Sequence, residues 1–159
     1  SFSKFGTAPG ERDAGERVDV AAVVRDVVAL ERMGDSGVEW IVEAEGDDLP
    51  AISRPDELRE VLLNLLENAR HANATRVVVR GRREGERVTV EVEDNGDGID
   101  PDVLPRVFEP HFSTRTSGSG LGLAISRRLV DSWGGTIQLV PAAPQGTIVR
   151  VTLVPAPVS

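Results

Sequence analysis

Asn64 and Asn68 stand four residues apart in an apolar run, Asp94 closes a β-branched run and leads into Asn95-Gly96-Asp97-Gly98-Ile99, and Gly118, Gly120 and Gly122 open a further apolar segment. Each group suits a different part of one ligand. A side-chain amide oxygen is a ligand for a hard cation such as magnesium. An ionised Asp only accepts hydrogen bonds, so it takes the exocyclic amino group of adenine and leaves the carbonyl of guanine unpaired. Glycines at a helix start leave backbone amides and the positive end of the helix dipole open to an anion. Asn68 is therefore expected to coordinate Mg2+, Asn64 to border phosphates, Asp94 to read the base, and the glycine run to seat the phosphates. Each segment also has a plainer local reading. The amides can be satisfied by neighbouring backbone or face solvent, Asx-Gly pairs ordinarily just turn the chain, and a glycine run can be a flexible surface loop. The joint pattern, in this order, points to ATP held with a metal.

The elements that must carry these residues are legible from periodicity. Leu58, Val61, Leu62, Leu63, Leu65, Leu66, Ala69 and Ala72 cover most of a helix circumference, so the helix opened by Arg54-Pro55-Asp56 is expected to be largely buried. Asn64, Asn68 and His71 interrupt it at i, i+4 and i+7 as one polar stripe, and burying two amides without partners costs on the order of 1–3 kcal/mol. His71 is expected at the rim, since magnesium prefers oxygen. Glu67 is expected either to reach the same cation through water or to sit beside Asn64 on the rim. Arg76–Arg83 and Arg87–Asp94 read as a hairpin around Glu84-Gly85-Glu86, so Asp94 falls at a sheet end. A helical pattern begins at Val18, with Val20, Val23, Val24, Val27, Val28 and Leu30 mostly on one side. Short strands follow at Val38–Ala44 and Ala51-Ile52, a short helix starts at Pro101, a longer one runs from about Gly120 to Trp133, and strands Thr136–Val140 and Thr147–Val154 close the chain. Between Gly98 and Gly118 lies a long segment with Phe108, Phe112, Thr114 and Arg115. Loops of that length tend to be functional, and a lid with Arg115 on phosphate fits, as does a loop merely pinned to the core by Phe108 and Phe112. The mixture implies a two-layer α/β sandwich.

Length and composition bound the rest. A chain of 159 residues fits one domain with a substantial core. The formal charge of −8 argues against nucleic acid, whose backbone requires a basic surface, but not against a small anion held locally. There is no Cys and no apolar stretch of membrane-spanning length, so a cytoplasmic domain, in the full protein either soluble or anchored to a membrane, is the expectation. Residues 1–17 are expected to be a helix remnant and linker, and residues 18–159 the domain itself. No Gly-Lys-[Ser/Thr] ending makes a Walker loop, and the glycines do not follow a strand in a βαβ unit.

Taken together, these motifs resemble the catalytic ATP-binding domain of bacterial sensor histidine kinases, of the Bergerat-fold or GHKL superfamily. AsnLeuLeuGluAsnAlaArgHisAla resembles the Asn box, AspAsnGlyAspGlyIle the first glycine box, PheGluProHisPheSerThrArg the Phe box, GlySerGlyLeuGlyLeuAlaIleSer the second glycine box, and Gly146-Thr147 the final Gly-Thr element. The resemblance implies a mixed, mostly antiparallel sheet of about five strands with three main helices on one face. It implies Asn64, Asn68 and Arg115 as catalytic positions, with Asn68 on the metal. The nucleotide-binding positions it implies are His71, Asp94, Gly96, Gly98 and Ile99, then Phe108, Thr114, Arg115, Gly118, Ser119 and Gly120, and finally Leu121, Gly122, Leu123 and Thr147. Gly96 and Gly98 would line the base. The reaction implied is γ-phosphoryl transfer to a His on a dimerisation domain, then to a response regulator. His71 and His111 both lie inside nucleotide motifs, so the acceptor is expected elsewhere, and this chain is expected to be a monomer. The opening SerPheSerLysPheGly resembles the end of the dimerisation helix. Asn64 stands where water-using relatives and serine-kinase anti-sigma factors carry Glu, and an amide cannot serve as a general base. The alternative readings are an ATP-gated interaction module or an anti-sigma factor of that serine-kinase type.

Overall fold

The computed structural model describes residues 15–34, 37–44, 49–109 and 123–157. The elements are β1 (Glu16–Asp19), α1 (Val20–Arg32), β2 (Glu39–Ala44), β3 (Pro50–Ser53), α2 (Pro55–His71), β4 (Arg76–Glu84), β5 (Arg87–Asp94), a 3-10 turn (Leu104–Arg106), α3 (Leu123–Ser132), β6 (Thr136–Pro141) and β7 (Thr147–Leu153). Five strands form the main sheet in the order β2-β4-β5-β7-β6, parallel only between β2 and β4. β1 and β3 make a small antiparallel pair beside it. The helical pattern expected from Val18 begins two residues later, because Asp19 caps α1 through a side-chain hydrogen bond to the Ala21 N–H (3.1 Å), and the same oxygen also accepts from Leu49 N–H. Pro101 does not open an α-helix; a turn and a single 3-10 segment follow it.

α2 is buried as its composition demands: Leu58, Val61, Leu62, Leu65, Leu66 and Ala69 are closed to solvent. It lies between α1 and α3, so all three helices cover one face of the sheet. Because side chains alternate along a strand, Val88, Val90, Val92 and Asp94 of β5 face those helices, whereas Thr89, Glu91 and Glu93 face the other way. On that other face the register lines up Glu43, Arg80, Glu91, Arg150 and Gln138, one residue from each strand. Opposite charges alternate along this row: Arg80 Nε donates to Glu43 (3.1 Å) and Arg150 Nε to Glu91 (2.6 Å). Leu30, placed on the apolar side of α1 by its pattern, lies in the last turn of the helix and is 49% exposed.

Candidate functional site

The apolar layer between α2 and the β5/β7/β6 part of the sheet opens at one end into a cavity of about 250 Å³. The sheet supplies its floor. Val92 pairs with Val149, Val149 with Leu139, and Asp94 with Thr147, so period-two alternation puts three apolar side chains and then Asp94 and Thr147 on one patch. From α2 and its C-cap come Leu65, Asn68, Ala69 and Ala72, spaced i, i+3, i+4 and i+7, with His71 beside them. Gly98, Ile99 and Leu123 complete the wall among the expected positions. Asn68 and Asp94, 26 positions apart in sequence, thus open onto the same space.

Asp94 is 7% exposed, and its environment is built rather than incidental. Its Oδ1 accepts from the Gly96 N–H (2.8 Å), and the Thr147 N–H also donates to the carboxylate. Burial nevertheless dominates and pushes the Asp94 carboxyl above the ordinary carboxylate range; the two backbone donors offset part of that, while Glu93 and Asp97 add repulsion. Gly146 is what lets β7 approach so closely. It has φ +111°, and a Cβ there would sit 1.8 Å from the Asp94 carbonyl oxygen. Gly96 has a similar task against the end of α2: a Cβ would come within 2.5 Å of the Ala72 carbonyl, to which the next residue, Asp97, donates (2.7 Å). Gly98 lines the cavity, whereas Gly96 is not among its lining residues and packs against the end of α2. Further clamps hold the same loop. Asn95 Oδ1 accepts from Thr75 and Arg76 N–H, Asn73 donates to Asp97 (2.7 Å), and Gln145 donates to the Gly96 carbonyl (2.9 Å).

The polar stripe of α2 divides. Asn68 and His71 line the cavity, while Asn64 lies on the flank of that face and donates from Nδ2 to Ser126 Oγ on α3 (3.1 Å). Glu67 ion-pairs with Arg70, whose guanidinium also reaches Glu31 (3.8 Å). Phe108 packs against the core with the Arg127 guanidinium 5.1 Å from its ring centroid, in agreement with a pinning role. Thr114, Arg115, Gly118, Ser119, Gly120, Leu121 and Gly122 lie outside the described residues, so the expected phosphate seat and lid contacts do too. Among the described residues no group of three or more His, Cys, Asp or Glu is arranged to hold a metal by itself. Val92, Leu139, Val149, Asn73, Asp97 and Ser126 are site residues that sequence reasoning missed. Alternation from Asp94 and Thr147 could have found the first three; the others depend on contacts across the fold.

Residues 53–157 match the family described as Histidine kinase-, DNA gyrase B-, and HSP90-like ATPase. The chain belongs to this family. Sensor histidine kinase ZraS of Salmonella typhi is 38% identical over 102 residues, covering 62% of this chain and 22% of ZraS. Among solved structures, the mycobacterial sensor histidine kinase MprB superposes with a TM-score of 0.78 at 30% identity, covering 91% of this chain and 99% of that one. Full-length ShkA in complex with AMPPNP gives a TM-score of 0.75 at 30% identity, over 90% of this chain and 32% of that one. The chain thus corresponds to the ATPase domain of sensor histidine kinases and spans about a fifth of the length of ZraS. No helix of the described residues is long and apolar enough to cross a membrane.

Proposed function

We propose that this ATPase domain binds Mg-ATP and presents its γ-phosphoryl group to a His on a dimerisation domain of the same kinase, from which a response regulator receives it. The observation that carries the reading is the single cavity shared by Asp94 and Asn68, with an acceptor-only carboxylate at the sheet end and an oxygen-bearing amide on the helix. Adenine's amino group has a partner in Asp94, its faces are met by Val92, Val149, Leu139 and Ile99, and the opening past Asn68 leads the phosphates toward the start of α3. The AMPPNP bound by ShkA, an ATP analogue, supports the same ligand class.

The donor set fits magnesium. That ion keeps most of its waters and takes one or two protein oxygens plus phosphate oxygens, which is what Asn68 in the wall of a nucleotide cavity offers. Bound there, it would neutralise developing phosphate charge. Asn68 would hold it, Asp94 and the apolar walls would orient the base, and Arg115 with the glycine run would bear on the phosphates. Asn64 is a neutral amide and cannot act as a general base, so rapid hydrolysis of ATP by the domain alone is disfavoured. Transfer then rests on positioning, with the nucleophile activated on the other domain. The test supplies the 159-residue chain with an acceptor-His dimerisation domain and radiolabelled ATP. Acid-labile phosphate on His is expected. Rapid hydrolysis without the acceptor, or no label with it, would overturn the reading.

A further inference from the structure

We infer that Asn95 is a positioning residue for base selectivity: it locks the turn that aims Asp94, and so maintains discrimination between ATP and a nucleotide with a carbonyl in place of the adenine amino group. This rests on the proposed reading of adenine by Asp94. Asp94 is the last residue of β5 and pairs with Val77 on one side and Thr147 on the other. Beyond it the chain turns at once. The Asp94 carboxylate accepts from the Gly96 N–H (2.8 Å), which closes an Asx turn with Asn95 as its middle residue. The direction of the carboxylate thus depends on the backbone of the next residue, in a segment that carries on into Gly96 and Gly98 with their wide conformational freedom.

Four hydrogen bonds clamp Asn95 to the start of β4. Its Oδ1 accepts from the N–H groups of both Thr75 (2.9 Å) and Arg76 (3.0 Å), its Nδ2 donates to Thr75 Oγ1 (2.9 Å), and its backbone N–H donates to the Arg76 carbonyl (3.3 Å). Two backbone N–H groups converge on one oxygen, and each can only donate, so the amide has a single workable orientation. Asn95 is exposed. Core packing therefore does not account for this side chain, whereas its bonds do. The next residue along β4, Val77, is the one that pairs with Asp94. The clamp ties the middle of the turn to the strand beside Asp94 and gives the carboxylate its direction before a ligand arrives.

The experiment measures ATP and ITP affinity by calorimetry on the 159-residue chain, for the parent, Asn95→Ala, Asn95→Asp and Asp94→Asn. ITP presents an acceptor to Asp94 where ATP presents a donor. Asn95→Ala removes the side-chain clamp and is expected to weaken ATP by roughly 3- to 10-fold, less than the roughly 10- to 150-fold of losing the bond to Asp94 outright, and ITP by under about 2-fold. Asn95→Asp keeps an acceptor for both backbone N–H groups, so its ATP-to-ITP ratio should stay near the parent's; the added charge bears on both nucleotides alike. Partial unfolding lowers both apparent affinities by one factor and cancels in the ratio. Equal losses for ATP and ITP in Asn95→Ala would show a role in folding alone and overturn the inference. A ratio in Asn95→Asp as low as in Asn95→Ala would overturn it too, since the two backbone bonds would not be the cause. If Asp94→Asn lowers the ratio while Asn95→Ala keeps the parent's, the inference fails and the reading of adenine by Asp94 stands. A parent that binds ATP and ITP equally removes that reading, and the inference with it.

Discussion

Replacing Asp94 by Asn should move ligand binding and apo stability in different directions. The carboxylate offers two acceptor oxygens and already receives the N–H groups of Gly96 and Thr147. Asn keeps one oxygen. Its NH2 must face either a backbone N–H or the adenine amino group, so one hydrogen bond to a charged acceptor is lost, worth about 1.5–3 kcal/mol, or roughly 10- to 150-fold in ATP affinity. For the unliganded fold the sign differs. Burial holds the folded Asp94 carboxyl above its unfolded value. The folded state therefore favours the neutral form, and this contribution to stability is full below the unfolded pKa and lost as pH rises through the folded one. At neutral pH the parent carries the disfavoured charge, and the Asn variant does not. Its melting temperature without nucleotide should be no lower than the parent's. Acidification should weaken ATP binding to the parent more steeply than to the variant, the excess being due to Asp94 taking up its proton and starting above the pH at which an ordinary carboxylate titrates. Calorimetry across pH and thermal melts of both proteins provide the check. Parental ATP affinity in Asp94→Asn, or a parent whose affinity ignores pH, would refute the assignment of Asp94 to adenine.

Gly146→Ala would place a methyl 1.8 Å from the Asp94 carbonyl oxygen at a positive φ, so a destabilisation on the order of 2–4 kcal/mol is expected, read as a melting drop of roughly 5–15 °C. An unchanged melt would mean that β7 does not press on Asp94 in solution. Glu91→Gln removes the charge between Arg150 (2.6 Å) and Arg80 (3.9 Å) on the outer sheet face; the arginines remain partly solvated, which limits the loss to about 1–2 kcal/mol. ATP affinity should not change, and weakened binding would show that the outer face communicates with the cavity. Chelating magnesium should weaken ATP on the order of tenfold without affecting adenosine, and Asn68→Ala should erase most of that difference in a titration. An undiminished magnesium effect in Asn68→Ala would move the metal to other ligands.

Periodicity sufficed for α2, the β4–β5 hairpin and the position of Asp94 at a sheet end, because buried faces repeat with the period of the element that carries them. Residue types and the order of the motifs carried the expectation of ATP. Spacing alone could not divide the stripe on α2. Asn64 and Asn68 are equivalent by helical period, and only the seating of α3 takes Asn64 to Ser126 while Asn68 stays on the cavity wall. Nor could it separate the tasks of two neighbouring glycines, because whether Gly96 meets the end of α2 or the ligand depends on where that helix ends in space. Types and periods along the chain thus determined which chemistry was present and on which elements. Tertiary structure decided which of those groups share a cavity, since hydrogen bonds and close approaches between Asn64 and Ser126, or Asp94 and Gly146, join positions that no local pattern relates.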